Sequence, residues 1–208
     1  MVCAPLLAGC GDGGDSGEKQ SVSATASGVV APSSASSTGA LTEDQRERKA
    51  LLPDDKTGYR EAARIATGEV PGGTLTKIEL KRDAAGKAVW ESTVAEKDGA
   101  EHEVNVDAAS GKVVQSRTES DQDADDKRKL SDRLSDAKIS SQQAVKKATA
   151  EETKGTVTSV ELDDTDDDTD DDTTIWSVDL VTTEDWNKTT YDVDATNGKI
   201  LRTHVDRD

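Results

Sequence analysis

Several residue types are scarce in this chain of 208 residues, and their scarcity limits what the protein can be. It has no Phe, and aromatic residues make up only 2% of the chain, so a single large core would be difficult to fill. The two cysteines, Cys3 and Cys10, lie within the first ten residues, so the remainder can hold neither a disulfide nor a thiolate metal site. Basic residues are outnumbered 43 to 26 by acidic ones and form no stripe, which argues against a nucleic-acid partner. The composition predicts one or two small domains together with unfolded sequence.

The first ten residues combine an apolar run with a cysteine. Residues 1–9 are too short to span a bilayer and are typical of the end of a signal peptide, although they lack its positively charged start. The run ends in LAGC at residues 7–10, which resembles the bacterial lipobox. The resemblance implies that cleavage follows Gly9 and that Cys10 is acylated, so that residues 1–10 are a partial lipoprotein signal. The alternative is an alanine-rich terminus with an incidental cysteine.

Residues 11–40 consist mainly of Gly, Ser, Ala and Thr and offer few side chains that could be buried. Such a segment cannot offset the entropy that it loses on ordering, so it is predicted to be a disordered linker. Its roughly 30 residues would have an end-to-end distance of about 30 Å. We therefore expect an extracytoplasmic protein that a lipid on Cys10 anchors to the cell membrane, with its folded part close to the membrane surface.

The remainder of the chain contains an internal repeat. Residues 62–80 match residues 144–162 at a constant offset of 82, so that TKIEL corresponds to TSVEL. Further along, VW at 89–90 corresponds to IW at 175–176, and VNVDAASGKVV corresponds to YDVDATNGKIL. Because these landmarks keep the same order, and the two insertions fall between predicted strands, the chain contains one unit twice.

Each unit is predicted to be a helix followed by an antiparallel meander of three to four strands, which gives an α+β fold of two tandem repeats. Ser140 and Gln143 form a capping box at the start of the second helix, and Gly58 takes the cap position in the first. Alternation of apolar and polar residues indicates the strands. The predicted strands are residues 75–81 and 157–163, 87–95 and 174–181, 101–107 and 189–194, and 112–117 and 199–205.

These landmarks resemble the PepSY domain, which is found in propeptides of secreted metallopeptidases and in many small bacterial surface proteins. The resemblance rests on the capped helix, the Glu-Leu pairs at 79–80 and 161–162, and above all the repeated VDAxxGK segment. It covers about residues 57–117 and 138–206. It implies that the protein binds or restrains a protease or another envelope protein, and it supplies no catalytic residues.

The domain boundaries follow from the repeat. Residues 41–117 are predicted to form the first PepSY-like repeat together with a helical segment that leads into it. Residues 118–137 are predicted to be a charged connector, and residues 138–208 the second repeat.

The residues capable of chemistry form no catalytic or metal-binding pattern. His102 and His204 are the only histidines, and they lie at positions that are not equivalent in the repeats. A catalytic histidine would need a nucleophile and an orienting acid, and a zinc site would need further ligands close by. We expect His102 to be half-buried and His204 to lie on the surface. The predicted protein is therefore not an enzyme and needs neither cofactor nor metal.

The three tryptophans differ in their expected roles. Trp90 and Trp176 occupy equivalent strand positions, which favours packing in the core over a platform for a ligand. Trp186 lies in the loop TTEDWNKT and has no tryptophan counterpart in the first unit. It either contacts a partner protein or packs against the neighbouring unit, and it is the candidate partner-contact residue.

Residues 163–172 contain eight aspartates in ten positions. A calcium loop of the EF-hand type would need Gly at the sixth position and Glu at the twelfth, where this chain has Asp168 and Thr174. The segment is therefore predicted to be an extended, self-repelling hairpin loop, with weak cation binding as the alternative.

Together these observations predict a cell-surface lipoprotein that binds a protein partner. The partner would be a secreted peptidase or another envelope protein, which the PepSY-like domains would restrain or regulate. The alternative is a structural or cation-responsive envelope protein in which the acidic loop 163–172 is the active part.

Overall fold

The computed structural model of the protein describes residues 40–151, 154–165 and 173–208. Three features predicted from the sequence lie wholly or largely outside these ranges: the lipidation site Cys10, the linker 11–40 and most of the acidic loop 163–172. Within the described ranges, none of the helices combines the length and the apolar character that crossing a bilayer requires.

A short helix precedes each of the two repeats. In chain order the elements are α1 (Glu43–Leu51), α2 (Gly58–Glu69), β1 (Thr74–Arg82), β2 (Ala88–Ala95), β3 (Glu101–Asp107), β4 (Val113–Thr118), α3 (Ala124–Asp136), α4 (Ser141–Ala148), β5 (Thr156–Asp164), β6 (Thr174–Val181), β7 (Lys188–Asp194) and β8 (Ile200–Asp206). Each repeat is one helix followed by four antiparallel strands, which confirms the predicted fold class. The segment 118–137, expected to be a connector, contains α3.

The eight strands form one antiparallel sheet in the order β4-β3-β2-β1-β5-β6-β7-β8. The repeats join at β1 and β5, which pair through three residues of each strand. The central pair joins Ile78 to Val160, and these two residues are equivalent in the repeats. An approximate twofold axis therefore passes between them, and it makes the outermost strands, β4 and β8, equivalent edges.

One face of the sheet forms the core with α2 and α4. Trp90 in β2 and Trp176 in β6 are 0% and 1% exposed, which confirms their prediction as core residues. The helices cover this face with alanines that are almost completely buried: Ala62, Ala63, Ala66, Ala144 and Ala148. Because alanine is short, both helices can lie close to the sheet and enclose the large indoles.

The two helix starts are capped in different ways. In α4, Ser140 and Gln143 form the predicted capping box. In α2 the N-cap is Thr57 rather than Gly58. The hydrogen-bond acceptor at this helix start is Asp55, whose Oδ1 accepts from the backbone N–H groups of Thr57 and Gly58. Gly58 has a φ of 72° and no side chain that could cap, so the acceptor has to come from another residue.

The buried indoles are tied to the same helix starts. Trp90 Nε1 donates to Asp55 Oδ1 at 3.1 Å, and Trp176 Nε1 donates to the carbonyl oxygen of Ile139 at 3.0 Å. A buried indole N–H needs an acceptor, and in each repeat the segment just before the helix supplies it. The core therefore fixes where each helix begins.

The opposite face of the sheet is charged, because every second strand residue points away from the core. Lys77 Nζ lies 2.9 Å from Glu161 Oε1, so one ion pair on this face crosses the junction between the repeats. The helix α1 lies on this side, where it lines a cleft of about 350 Å³ together with Glu79, Asp179 and Lys188. The two faces of the sheet thus carry different helices and different chemistry.

Candidate partner-binding edges

The edge strands β4 and β8 each lack a neighbouring strand on one side within the described part of the chain. Five of the six residues in β4 and four of the seven in β8 are exposed, so most of each edge is left uncovered by the described helices. An uncovered edge presents free backbone N–H and C=O groups to which another strand can bind. The twofold relation between the repeats makes these two surfaces a matched pair.

Both edges begin with the same irregularity. In β4, Val113 pairs with Val106 but Gln115 pairs with Asn105, so Val114 is an extra residue that forms a β-bulge. In β8 the equivalent residue, Leu201, is the extra one. Val114 is 58% exposed and Leu201 is 43% exposed, and they are the exposed large hydrophobic residues of the described chain. Each edge therefore displays one apolar side chain at the same place.

The hydrogen-bonding direction along β4 follows from the end of the strand. The backbone N–H of Glu119 donates to the carbonyl oxygen of Glu101 at 2.8 Å, so Glu119 faces β3. Because backbone groups alternate in an antiparallel pair, Ser116 and Thr118 direct theirs away from β3, towards the open edge. By the equivalence of the repeats, Thr203 of β8 corresponds to Ser116 and also faces outward.

Basic side chains accompany both edges. Lys112 and Lys199 are exposed and come just before the two bulges. Further along, Arg117 bonds to Glu103 of β3, and Arg202 Nε lies 2.6 Å from Asp192 Oδ2 of β7. The arginines are thus partly neutralised by the neighbouring strand, whereas neither lysine forms an ion pair with another described residue.

Trp186 lies in the turn between β6 and β7 and is half-buried. Lys49 Nζ of α1 lies 5.8 Å from its ring centroid, within the range of a cation–π interaction. Beside it, Gln45 Nε2 of α1 donates to Asn187 Oδ1 at 2.9 Å. The contact that the structure gives Trp186 is therefore with the helix that leads into the first repeat, and its contact with a partner protein stays a prediction.

The helix α3 makes the corresponding contact with the turn between β2 and β3. Ser131 Oγ donates to the carbonyl oxygen of Lys97 at 3.0 Å, and Gln122 Nε2, just before the helix, donates to that of Gly99 at 2.7 Å. Each leading helix thus holds a hairpin of the other repeat. The sequence signal for α3 is the capping box formed by Asp123 and Asp126.

The start of β3 brings carboxylates together. Burial raises the pKa of Glu101, and the neighbouring carboxylates of Glu119 and Asp126 raise it further. The half-buried His102 follows, as predicted: its Nε2 lies 2.8 Å from Glu96 Oε1 and its side chain is 20% exposed. This end of the first repeat is a site of charge repulsion.

The equivalent place in the second repeat has the opposite character. Lys188 takes the position of Glu101, and it pairs with Asp206, which takes the position of Glu119. The backbone N–H of Asp208 and the guanidinium of Arg48 lower the pKa of Asp206. The exposed His204 lies two residues earlier on β8, as expected for a surface histidine.

The acidic run begins inside a strand. Asp163 and Asp164 are the last residues of β5, and both interact with Arg133 of α3, at 3.5 Å and 2.6 Å. The first two aspartates therefore hold a helix rather than belong to a free loop. Within the described ranges, no group of three or more His, Cys, Asp or Glu residues is arranged to hold a metal ion.

Residues 58–117 and 138–204 match the model of the PepSY family, described as the peptidase propeptide and YPEB domain. The two matched segments coincide with the two repeats, each from the start of its helix, or just before it, to its edge strand. No curated protein matches the sequence.

The solved structures that are similar to the chain include two bacterial proteins. One is the crystal structure of a putative lipoprotein from Clostridium difficile 630, which is 24% identical, with a TM-score of 0.43; the match covers 74% of this chain and 95% of that one. The other is the YpmB protein from Bacillus subtilis, which is 20% identical, with a TM-score of 0.29 and coverage of 72% and 98%.

Proposed function

The chain belongs to the PepSY family, and we propose that it binds a secreted peptidase, or another protein of the cell envelope, and regulates it. In this proposal the protein is attached to the outer face of the cell membrane through a lipid on Cys10. It acts by contact and does not turn over a substrate.

The observation that carries the proposal is the pair of open edges. Each edge offers outward backbone groups at Ser116 or Thr203, and an exposed apolar side chain at Val114 or Leu201. An extended segment of another protein can add to such an edge as a further strand, with backbone hydrogen bonds supplying affinity and side-chain contacts supplying specificity. A peptidase could be held in this way without being cut.

The contacts of the histidines support a role without catalysis. The two ring nitrogens of His102 lie 2.8 Å from Glu96 Oε1 and 3.2 Å from Thr118 Oγ1, so the ring is held between the turn before β3 and the strand β4. His204 is exposed on an edge strand, on the other repeat. Neither arrangement resembles a base aligned with a nucleophile.

Membrane attachment rests on the LAGC segment, and one substitution tests it. The gene is expressed behind a complete signal peptide, and lipid labelling and membrane fractionation are compared for the wild type and Cys10→Ala. The variant should lose its lipid label and leave the membrane fraction, because the thiol is the acyl acceptor. Cys3→Ala is the control and should behave as the wild type. Unchanged labelling of Cys10→Ala would contradict the proposed anchor.

Partner binding is tested with the protein as bait. The chain is immobilised, the secreted fraction of the native cells is passed over it, and peptidase activity is assayed in the retained material and in its presence. We expect a peptidase to be retained with altered activity. If none is retained, and extracellular proteolysis is unchanged in a strain that lacks the gene, the peptidase is not the partner.

A further inference from the structure

We propose that the partner segment is an extended acidic strand with a large apolar residue, and that one chain binds two such segments, one on β4 and one on β8. This inference rests on the proposed function, because it specifies the chemistry of the segment that the open edges would accept. It adds a charge, a residue type and a stoichiometry, each of which can be measured separately.

The charge follows from the sequences of the edges. Residues 112–118 read KVVQSRT and residues 199–205 read KILRTHV, so each stretch contains two basic residues and no acidic one. The carboxylate that follows each stretch, Glu119 or Asp206, forms an ion pair with an arginine. Acidic residues make up 43 of the 208 in the chain and would be expected about three times in fourteen residues. The two edges are thus basic strips on an acidic protein.

The unpaired charge is concentrated beside the bulges. Arg117 and Arg202 are partly neutralised by Glu103 and Asp192, so the exposed lysines before the bulges carry the charge that a partner would meet. At physiological ionic strength charges separated by more than about 8 Å are largely screened, so a strand on the edge responds to these lysines more than to the net charge of −17. Carboxylates in the bound strand are therefore favoured.

The apolar component follows from Val114 and Leu201. Both are extra residues in their bulges, and both are exposed although they are large and apolar. A bound strand would cover them if it placed an apolar side chain opposite the bulge, and burial of apolar surface would add to the backbone hydrogen bonds. Because a large apolar side chain is exposed at the same place on both edges, we expect both to accept the same kind of segment.

A second copy of the chain is a poorer occupant. If β4 of one molecule paired with β8 of another, two stretches that each carry two basic residues would lie side by side. Like charges on paired strands destabilise a sheet. The occupant that fits is a strand of opposite charge from another protein.

The test uses a peptide of defined composition with the full chain. The probe is a capped peptide of about nine residues in which Glu alternates with Thr around a central Leu, so that it favours an extended strand. Its matched control has Lys in place of every Glu. Isothermal titration should give two peptides per chain for the acidic probe, and much weaker binding of the basic one. Binding of one peptide per chain, or equal binding of both probes, would overturn the proposal.

Proline variants locate the sites. Ser116→Pro removes an outward N–H without removing a hydrogen bond to β3, so it should leave one site, and Thr203→Pro should do the same at β8. The double variant should bind no peptide. Ser116→Ala and Thr203→Ala keep the N–H groups and should bind two peptides. Thermal unfolding of each variant checks that the sheet is intact, and binding by the folded double variant would contradict the assignment.

Charge variants test the same sites without touching the backbone. Lys112→Glu should weaken the acidic peptide at one site by roughly three- to tenfold and leave the other site unchanged, and Lys199→Glu should affect the second site in the same way. The double charge variant should bind the basic peptide better than the wild type does. If the two charge variants bind the acidic peptide as tightly as the wild type, the charge assignment is wrong.

A final comparison separates this inference from the proposed function. The secreted fraction is passed over the wild type and over the double proline variant. If both retain the same peptidase, the proposed function holds but the edges are not the binding surface. If neither retains a peptidase while the acidic peptide binds at two sites, the edges bind as inferred and the peptidase is not the partner.

Discussion

Gly99 and Trp186 occupy the same place in the two repeats, two residues before the third strand, and both have positive φ, at 85° and 61°. At Gly99 the turn lies directly against α3, because a Cβ there would be 1.9 Å from the carbonyl oxygen of Lys127. At Trp186 the side chain is retained and lies beneath Lys49 of α1. The turn of the first repeat therefore contacts α3 through its backbone, whereas the equivalent turn of the second repeat contacts α1 through a large side chain.

The difference indicates how firmly each leading helix is held. In α3, Leu130 is 7% exposed and the backbone fits closely against the turn at Gly99. The helix α1 has no buried residue, and polar contacts such as that of Arg48 with Asp206 hold it in place. We therefore expect α1, the helix that follows the predicted linker, to detach more readily than α3.

The largest loss of stability is expected from the two buried tryptophans, which occupy equivalent positions in the repeats. Trp90→Ala and Trp176→Ala should each lower the free energy of unfolding by roughly 3–5 kcal/mol, because each removes a completely buried indole from the core. Urea denaturation followed by circular dichroism measures both. A loss below about 1 kcal/mol for either variant would contradict the burial of that indole in the core.

The turn at Gly99 gives the next effect. Gly99→Ala should cost about 2–3 kcal/mol, because it adds a strained φ and a clash with the backbone of α3. Gly72 also has positive φ, but nothing lies within 4 Å of the position of its Cβ, so Gly72→Ala should cost only about 1 kcal/mol. If thermal denaturation gave equal losses of stability for Gly99→Ala and Gly72→Ala, α3 would not be in close contact with the turn at Gly99.

A smaller effect should come from the contact between α1 and Trp186. A double-mutant cycle of Trp186→Ala and Lys49→Ala should give a coupling energy of about 0.5–1 kcal/mol, as expected of an exposed cation–π pair. Arg46 lies on the same helix, so Arg46→Ala with Trp186→Ala serves as the control and should show no coupling. A coupling energy of zero between Lys49 and Trp186 would mean that α1 does not engage the indole, which would then be available for contact with a partner protein.

The smallest effect should come from the carboxylate of Glu101. Below its unfolded pKa of about 4.3 it is protonated in both states and costs nothing. As the pH rises, it ionises more easily in the unfolded chain, so stability falls until the pH exceeds the raised pKa of the folded state. Glu101→Gln should therefore stabilise the protein by roughly 0.2–0.5 kcal/mol near neutral pH, and the gain should disappear in acid.

Asp206, which takes the position of Glu119 at the equivalent end of the second repeat, supplies the control for that pH dependence. The pKa of Asp206 is lowered in the fold, so its contribution is present above the unfolded pKa and is lost as the pH falls through the folded value. Asp206→Asn should thus destabilise the protein near neutral pH, and the difference from wild type should disappear in acid. If Glu101→Gln and Asp206→Asn changed the free energy of unfolding in the same direction near neutral pH, the opposite pKa shifts of the two carboxyls would be contradicted.

The repeats can be predicted well from the sequence because apolar and polar residues alternate along their strands, which places the apolar residues on one face of the sheet. The period-2 alternation around Ile78 and Val160 identifies the strands, and the glycines after the third strands identify the turns. The bulges have a visible signal too, since two adjacent apolar residues at Val113-Val114 interrupt the alternation. The helix α3 is hidden in a charged segment, where its capping box is the available signal.

The joining of the two sheets could not be read from the sequence. Only three residues of each strand pair at the junction, and any partly exposed strand in either repeat could have served. The contacts of α1 and α3 with the opposite hairpins depend on that junction, so they were equally inaccessible. Local patterning specifies the unit, whereas tertiary packing decides how two units meet.

The pairing of Ile78 with Val160 also bears on how such a chain could arise. A contact across a twofold axis needs only one kind of surface, because each side supplies the same strand to the other. A chain with a single repeat could therefore build this eight-stranded sheet as a homodimer, with each leading helix reaching over to its partner's hairpin. Duplication and fusion of that ancestor would free each half to change by itself, and Gly99 and Trp186 occupy one of the positions at which the halves differ.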